Sequence, residues 1–439
     1  MLEPRPWVRD LSNALAEPLI ARATNGSGED VAAWVDALVD ANDVIHRRQC
    51  INLNPAGNVM NPRAEALLSR GLSSRPSLGY PGLKHETGLE AIEKIEVVAA
   101  ALAAEVFGAR FVELRLPTGC MANLCAFMAI AKPGDTIVAP PPSIGGHASH
   151  HSKGAAGLYG LNVMAAPVDS DNYTVDLSAL TSLCRSARPK IITIGGSLNL
   201  YPHRVADIRA IADDVGAIVV YDAAHVAGLI AGGAWQEPLR EGAHIMTMST
   251  YKSLAGPPGG LILTNDPDLA ARIERTAFPG LTANFDVARA AALAITLCDM
   301  KVHGAAYARA MIEAAQKLAE SLAARDIVVF GQRARRFTVS HQFALEAAPY
   351  GGGHSASRRL RQANLLTSGI GLPLAPVAGD SNGIRIGTPE LVRIGMTAAD
   401  MGALGEIIAE ALLSEGDISE LASRVAAMRD SFTGLHFVL

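Results

Sequence analysis

The sequence predicts an α/β fold, a large domain on a mainly parallel sheet covered by helices on both faces, followed by a small C-terminal α+β domain. Two observations carry that reading. From about residue 90 onward, short β-rich apolar runs alternate with helical patterns, the order that right-handed βαβ crossovers require. The 439-residue chain is also 49% apolar and only 18% charged, enough to bury a large core.

The elements follow in chain order. Val31, Trp34, Val35, Leu38, Val39 and Val44 recur at helical spacing behind Ser27-Gly28-Glu29-Asp30. This gives one amphipathic helix in an N-terminal arm, residues 1–60, whose apolar face needs another element or a second subunit. The large domain, 61–300, opens with a helix over Gly88 to Phe107, a strand over Phe111 to Leu116, a helix over Met121 to Ala131 and a strand over Thr136 to Ala139. Further strands are expected at Lys190 to Ile194, Ala217 to Tyr221, Ile245 to Ser249 and Leu261 to Thr264, with a helix over Val205 to Val215. A long helical pattern from Phe285 to Ala324 leads into the small domain, 301–439. There, strands are expected at Ile327 to Phe330 and Phe337 to Leu345, and helices at Ser355 to Asn364 and Ala398 to Leu413.

Charge and cysteines narrow the function class. Lysine plus arginine number 38 against 43 acidic residues, a net charge of −5, and no basic block suits nucleic acid or anionic lipid. Apolar runs such as Val97 to Ala104 are broken by charge long before the roughly 20 residues needed to cross a bilayer. The start, MLEPRPWVRDLSNALAEPL, does not resemble a signal peptide. Five scattered cysteines without a Cys-x-x-Cys pair or a zinc-spaced Cys/His cluster fit a reducing cytoplasm and no metal. The expectation is a cytoplasmic enzyme acting on a small molecule.

In open parallel sheets ligands bind beyond the carboxyl ends of the strands, so polar residues just after strands are the candidates. Five places stand out. Pro117-Thr118-Gly119-Cys120 runs into a helix whose free N–H groups suit a phosphate, although a Thr there is also an ordinary N-cap. His147, His150 and His151 sit beside Gly145-Gly146, where metal binding, surface placement and packing of an imidazole on a bound ring all stand open. Asp222 ends a strand with His225 one turn later; it can cap a helix or hold a protonated ring nitrogen. Lys252 follows Ser249-Thr250-Tyr251 between an apolar strand and a Gly/Pro loop, either a solvated lysine or one buried enough to form a Schiff base. Arg385 lies mid-strand, in a structural ion pair or gripping a carboxylate with its fork. Their order is that of a fold-type I pyridoxal phosphate enzyme.

From about Ile51 to Leu413 the chain resembles serine hydroxymethyltransferase. The resemblance rests on Gly79-Tyr80-Pro81-Gly82, Pro133-Gly134-Asp135-Thr136, Gly145-Gly146-His147, Tyr221-Asp222-Ala223-Ala224-His225-Val226-Ala227-Gly228-Leu229, Lys252-Ser253-Leu254-Ala255-Gly256-Pro257, Phe278-Pro279-Gly280 and Gly383-Ile384-Arg385-Ile386-Gly387-Thr388-Pro389. It implies pyridoxal 5′-phosphate on Lys252, with Asp222 on its ring nitrogen, His147 stacked on the ring and His225 near its phenolic oxygen. Thr118, Gly119, Cys120 and Ser249 would cradle the phosphate, and Arg385 would grip the substrate carboxylate. It also implies a homodimer with shared active sites, which can pair further into a tetramer.

The departures bear on function. The family's Tyr-Ala-Glu before the Gly-Tyr-Pro-Gly turn reads Pro76-Ser77-Leu78, so its glutamate is missing. Its tandem tyrosines are His85 and Glu86, its Ser-Glu-Asn is Ala56-Gly57-Asn58, and its His before the lysine is Tyr251. Gly-Pro-Arg-Gly-Gly reads Gly256-Pro257-Pro258-Gly259-Gly260, and no glycine pair follows Gly280. The cofactor and carboxylate sites are therefore expected intact, and the use of tetrahydrofolate is placed in doubt. The expected reaction makes or breaks the Cα–Cβ bond of a β-hydroxy amino acid as an aldolase or transaldolase, with His150, His85 or Glu86 supplying the acid/base group and Tyr251 and His85 lining the substrate pocket. The alternatives are a folate-dependent serine or α-methylserine hydroxymethyltransferase and, further off, a transaminase or racemase.

Overall fold

The computed structural model describes residues 2–414 and 416–439. Two consecutive helices form the arm, α1 (Asp10–Asn25) and α2 (Gly28–Asp43), the second capped by the Ser27 side chain on the Asp30 N–H as its sequence predicts. The sequence reading had one helix here; α1 carries only a weak apolar periodicity. Neither helix buries a residue within the protomer.

The large domain is a seven-stranded sheet. Its strands in chain order are β1 (Phe111–Glu113), β2 (Thr136–Ala139), β3 (Asn162–Ala165), β4 (Ile191–Gly195), β5 (Ile218–Asp222), β6 (Ile245–Ser249) and β7 (Gly260–Thr264), and they lie side by side as β1-β7-β6-β5-β4-β2-β3. Only β7 runs antiparallel to its neighbours. The central strands are buried along their whole length, which is why they read as Ile- and Met-rich runs with a single central Thr rather than as alternating ones. Edge strand β3, partly exposed, lacked that signal and was not anticipated.

Helices α3 (Ile92–Phe107) and α4 (Gly119–Ile130) pack beside the sheet, and α4 starts from a Thr118 cap whose hydroxyl accepts the Met121 N–H. The 37-residue helix α5 (Val287–Ala323) then crosses the molecule. It buries Leu293 and Leu297 at its start and Leu318 and Leu322 near its end within the same core cluster. It runs without a break through the domain boundary expected at residue 300. The arm boundary also shifts in meaning, because Ile51–Asn52 pairs in parallel with Leu365–Leu366 of the C-terminal region.

A four-stranded sheet organises the small domain: β8 (Val329–Phe330), β9 (Gln342–Glu346), β10 (Ser368–Ile370) and β11 (Gly383–Gly387), in the order β8-β9-β11-β10. Arg385 lies on β11 opposite Ala344 of β9 and Ser368 of β10. Among the described residues no helix is long and apolar enough to cross a membrane.

Candidate active site

Three strands end side by side at the carboxyl edge of the sheet. β5 ends in Asp222, paired to Thr247 of β6 and Gly195 of β4. The crowding explains Gly195: its φ is +86°, and a Cβ there would lie 2.2 Å from the Asp222 carbonyl oxygen. β6 ends in Ser249, three residues before Lys252.

Asp222 is 3% exposed. Its Oδ1 accepts the Ala224 N–H (3.0 Å) and its Oδ2 accepts an Asn123 amide N–H (3.0 Å), while His150 Nε2 lies 3.2 Å from Oδ2. Burial acts to raise its pKa, but His150, His147 and the Ala224 N–H outweigh it and hold the carboxyl below its ordinary range. His150 is fully buried against Asp222 and Phe127. It is thus enclosed beside the carboxylate, away from open solvent.

Lys252 is 6% exposed, its Nζ 5.9 Å from the centre of the Tyr251 ring. Burial lowers its pKa to about 8, Asp222 opposing the shift and Arg385 adding to it. Its turn is pinned from both sides. The Asn58 amide donates to the Lys252 carbonyl (2.9 Å), and the Ser253 hydroxyl donates to the His225 carbonyl (2.6 Å) while accepting the Gly228 N–H (3.0 Å).

Arg385 comes from the small domain into the same region. Its guanidinium reaches the Ser197 carbonyl (2.7 Å), Ser368 Oγ (3.1 Å), Asn54 Oδ1 (3.4 Å) and His225 Nε2 (3.3 Å), with no carboxylate among these partners. Buried to 7% exposure, its pKa is lowered to about 10 by desolvation. A charge so placed without a counter-ion is a receptor for one. His225, fully enclosed beside it, is pushed well below its ordinary pKa by burial and by the charges of Lys252 and Arg385. The neutral ring faces Arg385 with Nε2, so its proton sits on Nδ1, which has no partner among the described residues.

The phosphate turn is open: Thr118 and Cys120 are exposed and Gly119 is half-buried against Ser249, whose buried hydroxyl has no partner among the described residues. Pro258 leaves no arginine in the Gly/Pro loop, but Arg289 of α5 donates to the carbonyl of Leu116, two residues before Thr118.

His85 and Glu86 directly follow the hairpin Gly79–Tyr80/Leu83–Lys84. His85 is exposed, and Glu86 Oε2 accepts the N–H of Leu78 (3.3 Å), the residue standing in place of the family's glutamate. The hairpin is anchored by a buried ion pair, Lys84 Nζ to both oxygens of Glu96 (2.8 Å), with the Ser77 hydroxyl on the same carboxylate (2.5 Å).

Sequence reasoning missed the neutral groups that hold the charged ones: Asn123, Thr247 and Ser149 around Asp222 and His147, and Asn54, Ser197 and Ser368 around Arg385. Ser197, just after β4, follows the strand-end rule and could have been found; Asn54 meets Arg385 across 331 residues of sequence, for which no local signal exists.

Comparison with known proteins places this arrangement. The family model described as Serine hydroxymethyltransferase matches residues 33–408. An alpha-methylserine aldolase of Variovorax paradoxus is 57% identical over 438 residues, covering 100% of this chain and 99% of its own. An alpha-methylserine aldolase of a Ralstonia species is 52% identical over 442 residues, with both chains covered in full. A serine hydroxymethyltransferase of Methanopyrus kandleri is 38% identical over 406 residues, covering 92% of this chain and 94% of its own.

Proposed function

Because this chain belongs to the serine hydroxymethyltransferase family, we propose that it is a pyridoxal phosphate-dependent aldolase that splits α-methylserine into alanine and formaldehyde without tetrahydrofolate. One observation carries the reading: Lys252, Asp222, His225 and Arg385 converge in one buried site while Leu78 stands where the family has its glutamate. The two alpha-methylserine aldolases, similar over their whole length, support the same substrate.

The residues fit the cofactor. Buried polar atoms without a partner cost about 1–3 kcal/mol each, so His225 Nδ1 and Ser249 Oγ argue for a ligand that satisfies them. Ser249 and the Thr118-Gly119-Cys120 turn would hold the phosphate, Asp222 a protonated ring nitrogen, and His225 Nδ1–H an adjacent oxygen, with His147 against the ring and Lys252 as the covalent anchor. When bound, pyridoxal phosphate accepts the electron pair of the bond broken at Cα.

The chain's own residues then set which bond breaks. Arg385 pins the substrate carboxylate by two-point contact, and its rigid seating on Ser197 and Ser368 fixes the orientation of the other Cα substituents. Tyr251, beside Lys252, borders the substrate. The β-hydroxyl proton passes to Glu86 or His85, supplied by the hairpin of a second subunit, while His150 is enclosed between Asp222 and Phe127. A homodimer in the cytosol fits this arrangement, the exposed apolar arm and the five unpaired cysteines.

The test is release of alanine and formaldehyde from α-methylserine by purified protein, beside serine, threonine and phenylserine, each with and without tetrahydrofolate. Cleavage of α-methylserine at a rate that ignores folate is expected. Cleavage only with folate would make the protein a hydroxymethyltransferase, and an exchange of the amino group without carbon loss would make it a transaminase.

A further inference from the structure

Between Asp222 and His147 runs a chain of neutral hydrogen bonds whose proton positions can be worked out from its ends. At one end, Asp222 is an ionised carboxylate that only accepts. The Asn123 atom 3.0 Å from its Oδ2 is therefore the amide nitrogen, not the oxygen. That fixes the orientation of the amide, and Asn123 Oδ1 takes the Thr247 hydroxyl proton (2.6 Å). The second amide hydrogen points to Ser149 Oγ (2.9 Å), so Ser149 accepts there and its own hydroxyl hydrogen is free for His147 Nδ1 (2.7 Å). At the other end the Ser149 backbone N–H, which can only donate, also meets His147 Nδ1 (3.2 Å). Two donors on one nitrogen leave it no room for a proton.

We infer that Asn123 is a positioning residue: anchored by Asp222 and Thr247, it orients the Ser149 hydroxyl toward His147 Nδ1 and so reinforces the Nε2–H tautomer that the Ser149 backbone N–H sets. All three side chains of this network are enclosed, Asn123 at 2%, Ser149 at 2% and Thr247 at 0% exposure, so no water competes for their hydrogen bonds. His147 is the partly exposed end, and its Nε2 donates to no protein group among the described residues. The network thus delivers one N–H, in a set direction, to whatever occupies the site. Burial disfavours the charged ring, so the tautomer and not the protonation state is what the network reinforces.

The purpose assigned to the network rests on the proposed cofactor, but its geometry does not. The experiment is nitrogen-15 NMR of histidine-labelled full-length protein, with His147 assigned through H147N, before and after loading with pyridoxal 5′-phosphate. In the unloaded wild type, His147 should show a protonated Nε2 and an unprotonated, hydrogen-bonded Nδ1. S149A removes the hydroxyl donor but keeps the backbone N–H on Nδ1, so the Nδ1 signal should move only part of the way toward that of a free acceptor. N123A should move it too, although Asn123 does not touch the ring, and should weaken cofactor binding by roughly tenfold, the loss of one hydrogen bond to a charged group. S149A, which leaves Asn123 on Asp222, should weaken it less than N123A does. T247V, which removes the hydroxyl on Asn123 Oδ1 but leaves Asn123 on Asp222, repeats the NMR arm of the N123A test should that variant fail to fold, and circular dichroism identifies which variants are folded.

A protonated Nδ1 in the wild type overturns the inference, as does a His147 spectrum unmoved by both N123A and T247V. Equal cofactor affinity in N123A and wild type overturns the link to Asp222. A wild type that takes up no pyridoxal phosphate overturns the proposed function, while the tautomer in the unloaded protein still tests the network.

Discussion

Arg385 shows how a single residue can announce a ligand. Its partners are a carbonyl, a hydroxyl, an amide oxygen and a neutral imidazole, none of which carries charge. They seat the fork without neutralising it. Arg385→Ala should therefore raise the KM for the amino acid by roughly 100-fold, the worth of a bidentate charge-assisted contact, while cofactor affinity stays near wild type. Arg385→Lys should recover little, because a point charge cannot hold both oxygens. Equal losses in substrate and cofactor binding would mean that the site had collapsed instead. Lys252 makes a different statement at the same scale. Burial lowers its pKa to about 8, so the neutral, nucleophilic amine grows in as pH rises through 8 rather than through the ordinary 10.5. The rate of cofactor capture, followed by absorbance in stopped flow, should climb between pH 7 and 9 and level off above. A climb continuing toward pH 10 would place Lys252 in water.

Among elements, the short helix Ala227–Ala231 after Asp222 sets the height of the Lys252 turn. Gly228 lies so close that a Cβ would come within 2.2 Å of the Ser253 carbonyl oxygen, and backbone cannot yield as a side-chain tip can. Gly228→Ala should push the turn off its seat, displacing Lys252 and Ser253 together, with stability down by about 1–3 kcal/mol in urea unfolding and cofactor capture strongly slowed. Normal capture in a destabilised variant would show that the turn tolerates the shift. This contact also marks what sequence can and cannot reveal. The strands were legible because largely buried parallel strands are rich in apolar residues: Ile245–Ser249 and Thr136–Ala139 were located to the residue. β3 was not, since an edge strand with exposed ends carries a weaker pattern. Asp222, Lys252 and Arg385 stood out as charges at strand ends or within apolar stretches. The groups that orient them are small and neutral, come from distant segments, and have meaning only once the fold has joined them; Asn123 reads as one more polar residue in a helix until Asp222 and Ser149 flank it. Even for the charges, sequence gave adjacency and not state: His150 looked as available as His147, and burial against Asp222 separates them.

The protomer as a whole is arranged around a seam. The large domain brings the lysine and the acid, the small domain brings the arginine, and α5 runs through both, so the site exists only while the two keep their register. What remains unfinished is on the outside. The arm helices expose Leu11, Leu15 and Leu19 at a four-residue spacing on α1, and Val35, Leu38 and Val39 on α2, with Trp7 80% exposed ahead of them. Apolar rows of that length left in water are unfavourable by about 25 cal/mol per Å², so covering them with another surface is favourable. The hairpin that His85 and Glu86 follow is likewise exposed at Leu83 and Tyr80. If a second copy of the chain covers the arm and brings its hairpin to the first copy's site, assembly and activity must fail together. Replacing Leu11, Leu15 and Leu19 with Ser should then convert a dimer into monomer in sedimentation velocity, lower turnover at least as steeply as the dimer fraction, and restore both at high protein concentration. The fold should survive, because none of the three contributes to the protomer core. Full activity in a demonstrated monomer would return the acid/base step to residues of one chain and leave the arm as a surface for some other partner.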